Sequence, residues 1–160
     1  MNGERPSNRG RANSKNRYNI LAAVNIKGGE VPPVQSVVIE ETTNAAIFLQ
    51  FVKLLLETGV LNAGDLFILD NCTVHYQGDN VGLEETLMEM FGVRLVTLPA
   101  YHPEFNPVEL IFQLVFQRIR SNRSRYTALS NSDFVEEIKN EMYNFDLLDV
   151  IKNYSKQGYM

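Results

Sequence analysis

The chain has 160 residues, a formal net charge of −4, 44% hydrophobic and 21% charged residues, which suits one soluble domain with a core of its own. No apolar run reaches the roughly 18 residues a membrane span needs, and the polar opening has no apolar h-region, so neither a membrane location nor secretion is expected. The single cysteine, Cys72, excludes an internal disulfide and fits a reducing compartment, and one cysteine with two histidines is too few for a closed structural zinc site.

Residues 1–17 are rich in Asn, Ser, Gly and Arg with little apolar content, and read as a flexible basic arm ahead of one core domain over residues 18–160. Tyr18 to Ile26 is nearly continuously apolar at its centre, the pattern of a buried strand. Lys27-Gly28-Gly29-Glu30 is a turn, Pro32-Pro33 delays the next strand, and Ser36 to Glu40 then returns antiparallel to the first. Thr42-Thr43-Asn44 offers a cap for a helix over Ala45 to Thr58, which Gly59 stops as a left-handed terminal residue. Leu66 to Leu69 is a short strand ending at Asp70-Asn71. A helix over Leu83 to Phe91 closes at Gly92, and Arg94 to Leu98 is a further strand, stopped by Pro99. After a loop, Asn106 caps and Pro107 opens a helix that runs to about Arg120. One or two helices follow at about 132–144 and 146–155. A hairpin followed by alternating helices and strands indicates an α/β domain with a mixed sheet and helices on both faces.

The charge is unevenly placed. Arg5, Arg9, Arg11, Lys15 and Arg17 face only Glu4 in the first 17 residues, and Arg118, Arg120, Arg123 and Arg125 form a second basic cluster without an acid among them. Such clusters on an acidic body mark a track for nucleic-acid phosphates, although solvated tails and helix ends carry the same composition. Asp70 stands where a strand meets a loop, the end at which α/β sheets place their ligands. The plainer reading of Asp70 is a turn former, and that of Glu109 is an acid favoured by a helix N-terminus. Together, at one sheet edge, the two carboxylates can hold a hard divalent cation through oxygen.

Phe67-Ile68-Leu69-Asp70-Asn71, His75, Leu98-Pro99-Ala100-Tyr101-His102-Pro103 and Asn106-Pro107-Val108-Glu109, taken together, resemble the DDE-superfamily transposases of the mariner type and their bacterial insertion-sequence relatives. In that family a strand ends in Asp-Asn with a His a few residues on, and a Leu-Pro-x-Tyr-Ser-Pro-x-x-Asn-Pro-x-Glu segment supplies the last acid. Here His102 replaces the usual Ser. The resemblance implies a ribonuclease H-like sheet, Asp70 and Glu109 as catalytic metal ligands, and two Mg2+ or Mn2+ ions. It implies DNA, at transposon ends and target, as the partner, with no small-molecule substrate and a homodimer left open. A DNA-acting protein would be nuclear in a eukaryote and cytoplasmic otherwise.

Asn71, His75 and Asn106 would support the site. Arg5, Arg9, Arg11, Arg17, Tyr101, His102 and the Arg118–Arg125 cluster would contact DNA. Loop backbone needs and ordinary packing are the competing explanations for Asn71, His75 and Tyr101, and Cys72 reads as a buried apolar filler. The family uses three acids, the first an Asp on the first, central strand. No strand-borne Asp precedes Tyr18, so that strand is expected to be missing, with Tyr18–Ile26 and Leu66–Leu69 flanking its place in an N-terminally truncated copy. The competing functions are a catalytically inactive or domesticated relic that binds nucleic acid or protein, and a small metal-dependent nuclease or ribonuclease H.

Overall fold

The computed structural model describes residues 18–26, 34–40, 42–70, 72, 75, 78, 81–99, 102 and 106–144. The basic arm and the helix expected at 146–155 lie outside them. The described elements are β1 (Asn19–Val24), β2 (Val34–Ile39), α1 (Ala45–Glu57), β3 (Leu66–Leu69), α2 (Leu83–Phe91), β4 (Arg94–Thr97), α3 (Pro107–Ser121), α4 (Arg123–Thr127) and α5 (Asn131–Tyr143).

β1 and β2 form an antiparallel hairpin whose register runs from Asn19 opposite Ile39 to Val24 opposite Val34. Successive strand side chains point to opposite faces, and β1 shows the consequence. Leu21 and Ala23 pack on a core built around α1, α2, β3 and β4, whereas Ile20, Ala22 and Val24 pack on a second core around α3 and α5. The apolar run of β1 thus serves a core on each face, although every residue of the strand stays half-buried. In the second core Ile111, Val115, Ile138 and Met142 are almost fully buried, and burial of such side chains contributes about 1.5–3 kcal/mol each.

β3 and β4 pair in parallel, Leu66 opposite Arg94 through Leu69 opposite Thr97. Parallel neighbours need a crossover, which α2 supplies. Phe67 and Leu69 point into the first core, whereas Leu66 and Ile68 remain exposed. β1 and β3, which the sequence did not lead one to expect as direct neighbours, do not pair. Among the described residues the strands make two two-stranded sheets, β1–β2 and β3–β4. β1 and β3 contribute instead to the walls of one cavity.

The helix ends follow local chemistry. Asn44 Oδ1 accepts the Ile47 N–H at 3.0 Å to start α1, and Gly59 leaves its end at φ 71°. Gly92 closes α2 at φ 67°, where a β-carbon would stand 3.3 Å from the Ala63 methyl carbon. Ser130 Oγ accepts the Asp133 N–H at the start of α5. The short α4 was not expected. It is held by Tyr126, which is buried and meets Phe134 edge-on at 6.1 Å. A single anchoring residue in a five-residue helix is too little to show as helical periodicity.

Candidate active site

Because β3 and β4 run parallel, both chain exits emerge at one edge. Asp70 follows β3 directly, and the segment after β4 leads into α3. The pairing extends one step past the strands, with Leu98 N–H donating to the Leu69 carbonyl at 2.7 Å. The chain then turns. Asp70 Oδ1 accepts the Cys72 N–H at 3.2 Å, and the His75 N–H reaches the Cys72 carbonyl at 3.1 Å. This turn carries the His75 ring back so that its Nε2 lies 2.7 Å from Asp70 Oδ1. The ring packs on Phe48 of α1 with centroids 4.2 Å apart. The His75 side chain is 13% exposed and that of Asp70 47%.

The hydrogen bond from His75 holds the Asp70 carboxyl below its ordinary pKa; partial burial opposes this, and the charge on His75 and the Cys72 amide add to the lowering. Asp70 is therefore an ionised, oriented carboxylate at neutral pH. His75 acts on Asp70 itself, which goes beyond satisfying loop backbone.

Glu109 is placed by the start of α3. Asn106 Oδ1 accepts the Val108 N–H at 3.1 Å, and the Glu109 N–H donates to the Asn106 carbonyl at 3.0 Å. Pro107 occupies the first helical position, where its missing N–H costs nothing. Glu109 thus sits half-buried in the first turn. Asp70, His75, Asn106 and Glu109 all line one cavity of about 270 Å³, whose other walls come from β1, β3, Phe48 and Phe112. Two carboxylates lining one cavity offer the oxygen ligands that a hard divalent cation takes while it keeps part of its water shell.

Asp65 also lines this cavity and is 8% exposed. It precedes β3, about 16 Å of extended chain from Asp70, and its carboxylate accepts the Asn62 N–H at 3.0 Å. It fastens the turn before β3, at the opposite end of that strand from Asp70. Cys72 corrects the sequence reading: it is exposed, not a buried filler, because the turn at Asp70 carries it off the sheet. Ligand atoms of Asp70, Cys72 and His75 lie within 4.8 Å of one another, a grouping the sequence reading did not recognise. Its signal was the spacing of 70, 72 and 75 within one turn.

The basic cluster is divided. Arg118 pairs with Glu141 at 2.6 Å, and Arg125 pairs with Glu137, so both tie the α3–α4 arm to α5. Tyr126 OH also donates to Glu141, at 3.2 Å. Arg120 and Arg123 are exposed, and no described acid forms a salt bridge with them. His102 is exposed. Asn71, Tyr101, Arg5, Arg9, Arg11 and Arg17 lie outside the described residues.

A family model described as DDE superfamily endonuclease matches residues 1–130. Among curated proteins and among solved structures, nothing matches. No helix among the described residues is long and apolar enough to cross a membrane.

Proposed function

The chain belongs to the DDE superfamily endonucleases, and from that premise we propose that it is the catalytic core of a mariner-type DNA transposase, cutting and joining strands at transposon ends. The observation that carries this reading is that Asp70, at the exit edge of β3, and Glu109, in the first turn of α3, line the same cavity. Endonucleases of this superfamily generally depend on divalent metal. Mg2+ or Mn2+, two ions in the complete site, would be held by Asp70 and Glu109. Bound there, they would supply Lewis-acid activation of water or a DNA 3′-hydroxyl and stabilise the leaving oxygen.

The chain's own residues prepare that site. His75 lowers the pKa of Asp70 further and holds its Oδ1 by a hydrogen bond at 2.7 Å. Asn106 holds the first turn of α3, and so the origin of the Glu109 side chain. Arg120 and Arg123 are the free cations of the described cluster, and together with Arg5, Arg9, Arg11, Arg17, Tyr101 and His102 they are assigned to DNA contact. The ribonuclease H-like arrangement implies a further strand beside β1 and β3 that carries a third acid. Among the described residues the tight group around Asp70 holds Cys72 and His75 and no second carboxylate. That favours a second reading, an inactive module of the same fold that binds DNA or protein.

Nicking of a labelled duplex in Mg2+ or Mn2+ tests both. The chain should bind a DNA duplex and nick it only with divalent metal present. Asp70→Asn or Glu109→Gln should each abolish that nicking. Metal-dependent nicking that survives both substitutions refutes the assigned site. DNA binding without any nicking in either metal supports the inactive module.

A further inference from the structure

We infer that Asp70, Cys72 and His75 form a site for a thiophilic divalent cation of the zinc class, a site that shares Asp70 with the hard-cation pair. Three different donors, a carboxylate oxygen, a thiol sulfur and an imidazole nitrogen, come from one turn of six residues, with their ligand atoms all within 4.8 Å of one another. In a tetrahedral zinc site such atoms stand about 3.3–3.7 Å apart, given metal–ligand distances of about 2.0–2.3 Å. Closing to that spacing takes about 1 Å of side-chain rotation. Asp70 Oδ1 and His75 Nε2, now 2.7 Å apart, need to open by well under 1 Å on the same scale.

The parts are suited to that adjustment. His75 is anchored by its packing on Phe48 and by its N–H on the Cys72 carbonyl, so its ring needs little ordering. Cys72 is exposed, so its sulfur is accessible to an incoming ion. Three protein ligands leave one position for water, the pattern of an open zinc site, which differs from the closed structural site that composition excludes.

Donor chemistry sets the preference. Thiolate and imidazole select zinc over magnesium, whereas the Asp70–Glu109 pair offers only oxygen and favours magnesium. Glu109 lines the same cavity but stands outside the tight group. Asp70 cannot serve both ions fully, so zinc-class binding would suppress chemistry at the carboxylate pair. That last consequence rests on the transposase reading; the binding itself does not.

The test uses the full chain without DNA and cobalt(II) as the probe metal. Titration should bring up tetrahedral d–d bands together with a thiolate-to-cobalt charge-transfer band. Zinc should displace both at stoichiometric amounts, and a large excess of magnesium should not. Cys72→Ser should remove the charge-transfer band, and His75→Gln should weaken binding by at least about tenfold, the scale of losing a metal-site partner. Cys72 is exposed, so the fold of its variant is expected to persist, as far-ultraviolet circular dichroism would verify. A pale octahedral cobalt spectrum without the thiolate band, or equal cobalt affinity with Cys72 replaced, overturns the site. Because this readout needs no cleavage, a chain that never nicks DNA yet shows the band supports the metal site while the transposase reading fails.

Discussion

Replacing Asn106 with Ala isolates the device that positions Glu109. The substitution removes the Oδ1 that accepts the Val108 N–H at 3.1 Å in a partly buried setting. Loss of such a cap costs about 0.5–2 kcal/mol, and partial burial places this case in the upper half, because an orphaned donor there is not fully rehydrated. A destabilisation of about 1–2 kcal/mol corresponds to about 2–8 °C in melting temperature for a chain of this size. The loosened turn carries Glu109, so divalent-metal affinity at the cavity should fall as well, by up to about tenfold if as much as 1.4 kcal/mol is felt there. Asn106→Ser keeps an acceptor at the same place and should restore most of both losses. The assay is a thermal melt by circular dichroism beside a manganese titration of each variant. Equal melting of the Ala and Ser variants would refute the capping argument. Weakened metal binding in Asn106→Ala with an unchanged melt would show that Asn106 acts directly on the ion.

Gly92→Ala should destabilise by about 1–2 kcal/mol, seen as a lowered urea midpoint at constant slope, because φ is 67° there and the added carbon would press on Ala63 at 3.3 Å; an unchanged midpoint contradicts the left-handed cap. Asp70 should titrate below the ordinary carboxylate range by carbon-detected NMR, and His75→Phe should move it upward, since the His75 hydrogen bond is the largest cause of its lowering. A lowered folded-state pKa means that the contribution to stability is present above the ordinary carboxylate pKa and is lost as pH falls through the lowered value. The stability difference between the wild type and Asp70→Asn should therefore vanish in strong acid, and a difference that persists there argues against the sign. Arg120→Ala and Arg123→Ala should each reduce the salt slope of DNA binding by about 1 with little change in melting. Arg118→Ala should chiefly lower the melting temperature, because its partner is Glu141; the reverse pattern would show that the ion pair opens to meet DNA.

Much of the local structure was readable from residues alone. Asn44, Gly59, Gly92 and the Asn106-Pro107 pair mark helix ends because caps and left-handed turns act within four residues of themselves. The apolar run of β1 foretold a strand with a core on each face, though one half-buried throughout where a buried strand was expected, and the exits at Asp70 and Glu109 marked residues that the fold brings to one cavity. What the sequence could not supply was the partner of each group. Arg118 and Arg125 are a run of free charge in the sequence, yet their acids come from Glu141 and Glu137, 23 and 12 residues away. His75 was legible as a nearby polar residue, but Phe48, on which its ring packs, belongs to α1 and precedes β3 in the chain. Cys72 has an apolar-filler composition and an exposed place, because a single hydrogen bond to Asp70 turns the chain outward there. The same limit applies to the sheets. Strand identity is written in a few consecutive residues, whereas the choice between one mixed sheet and two hairpin-sized ones depends on how β1 and β3 meet across the cavity. That is a matter of packing between segments more than forty residues apart, and only the assembled cores decide it.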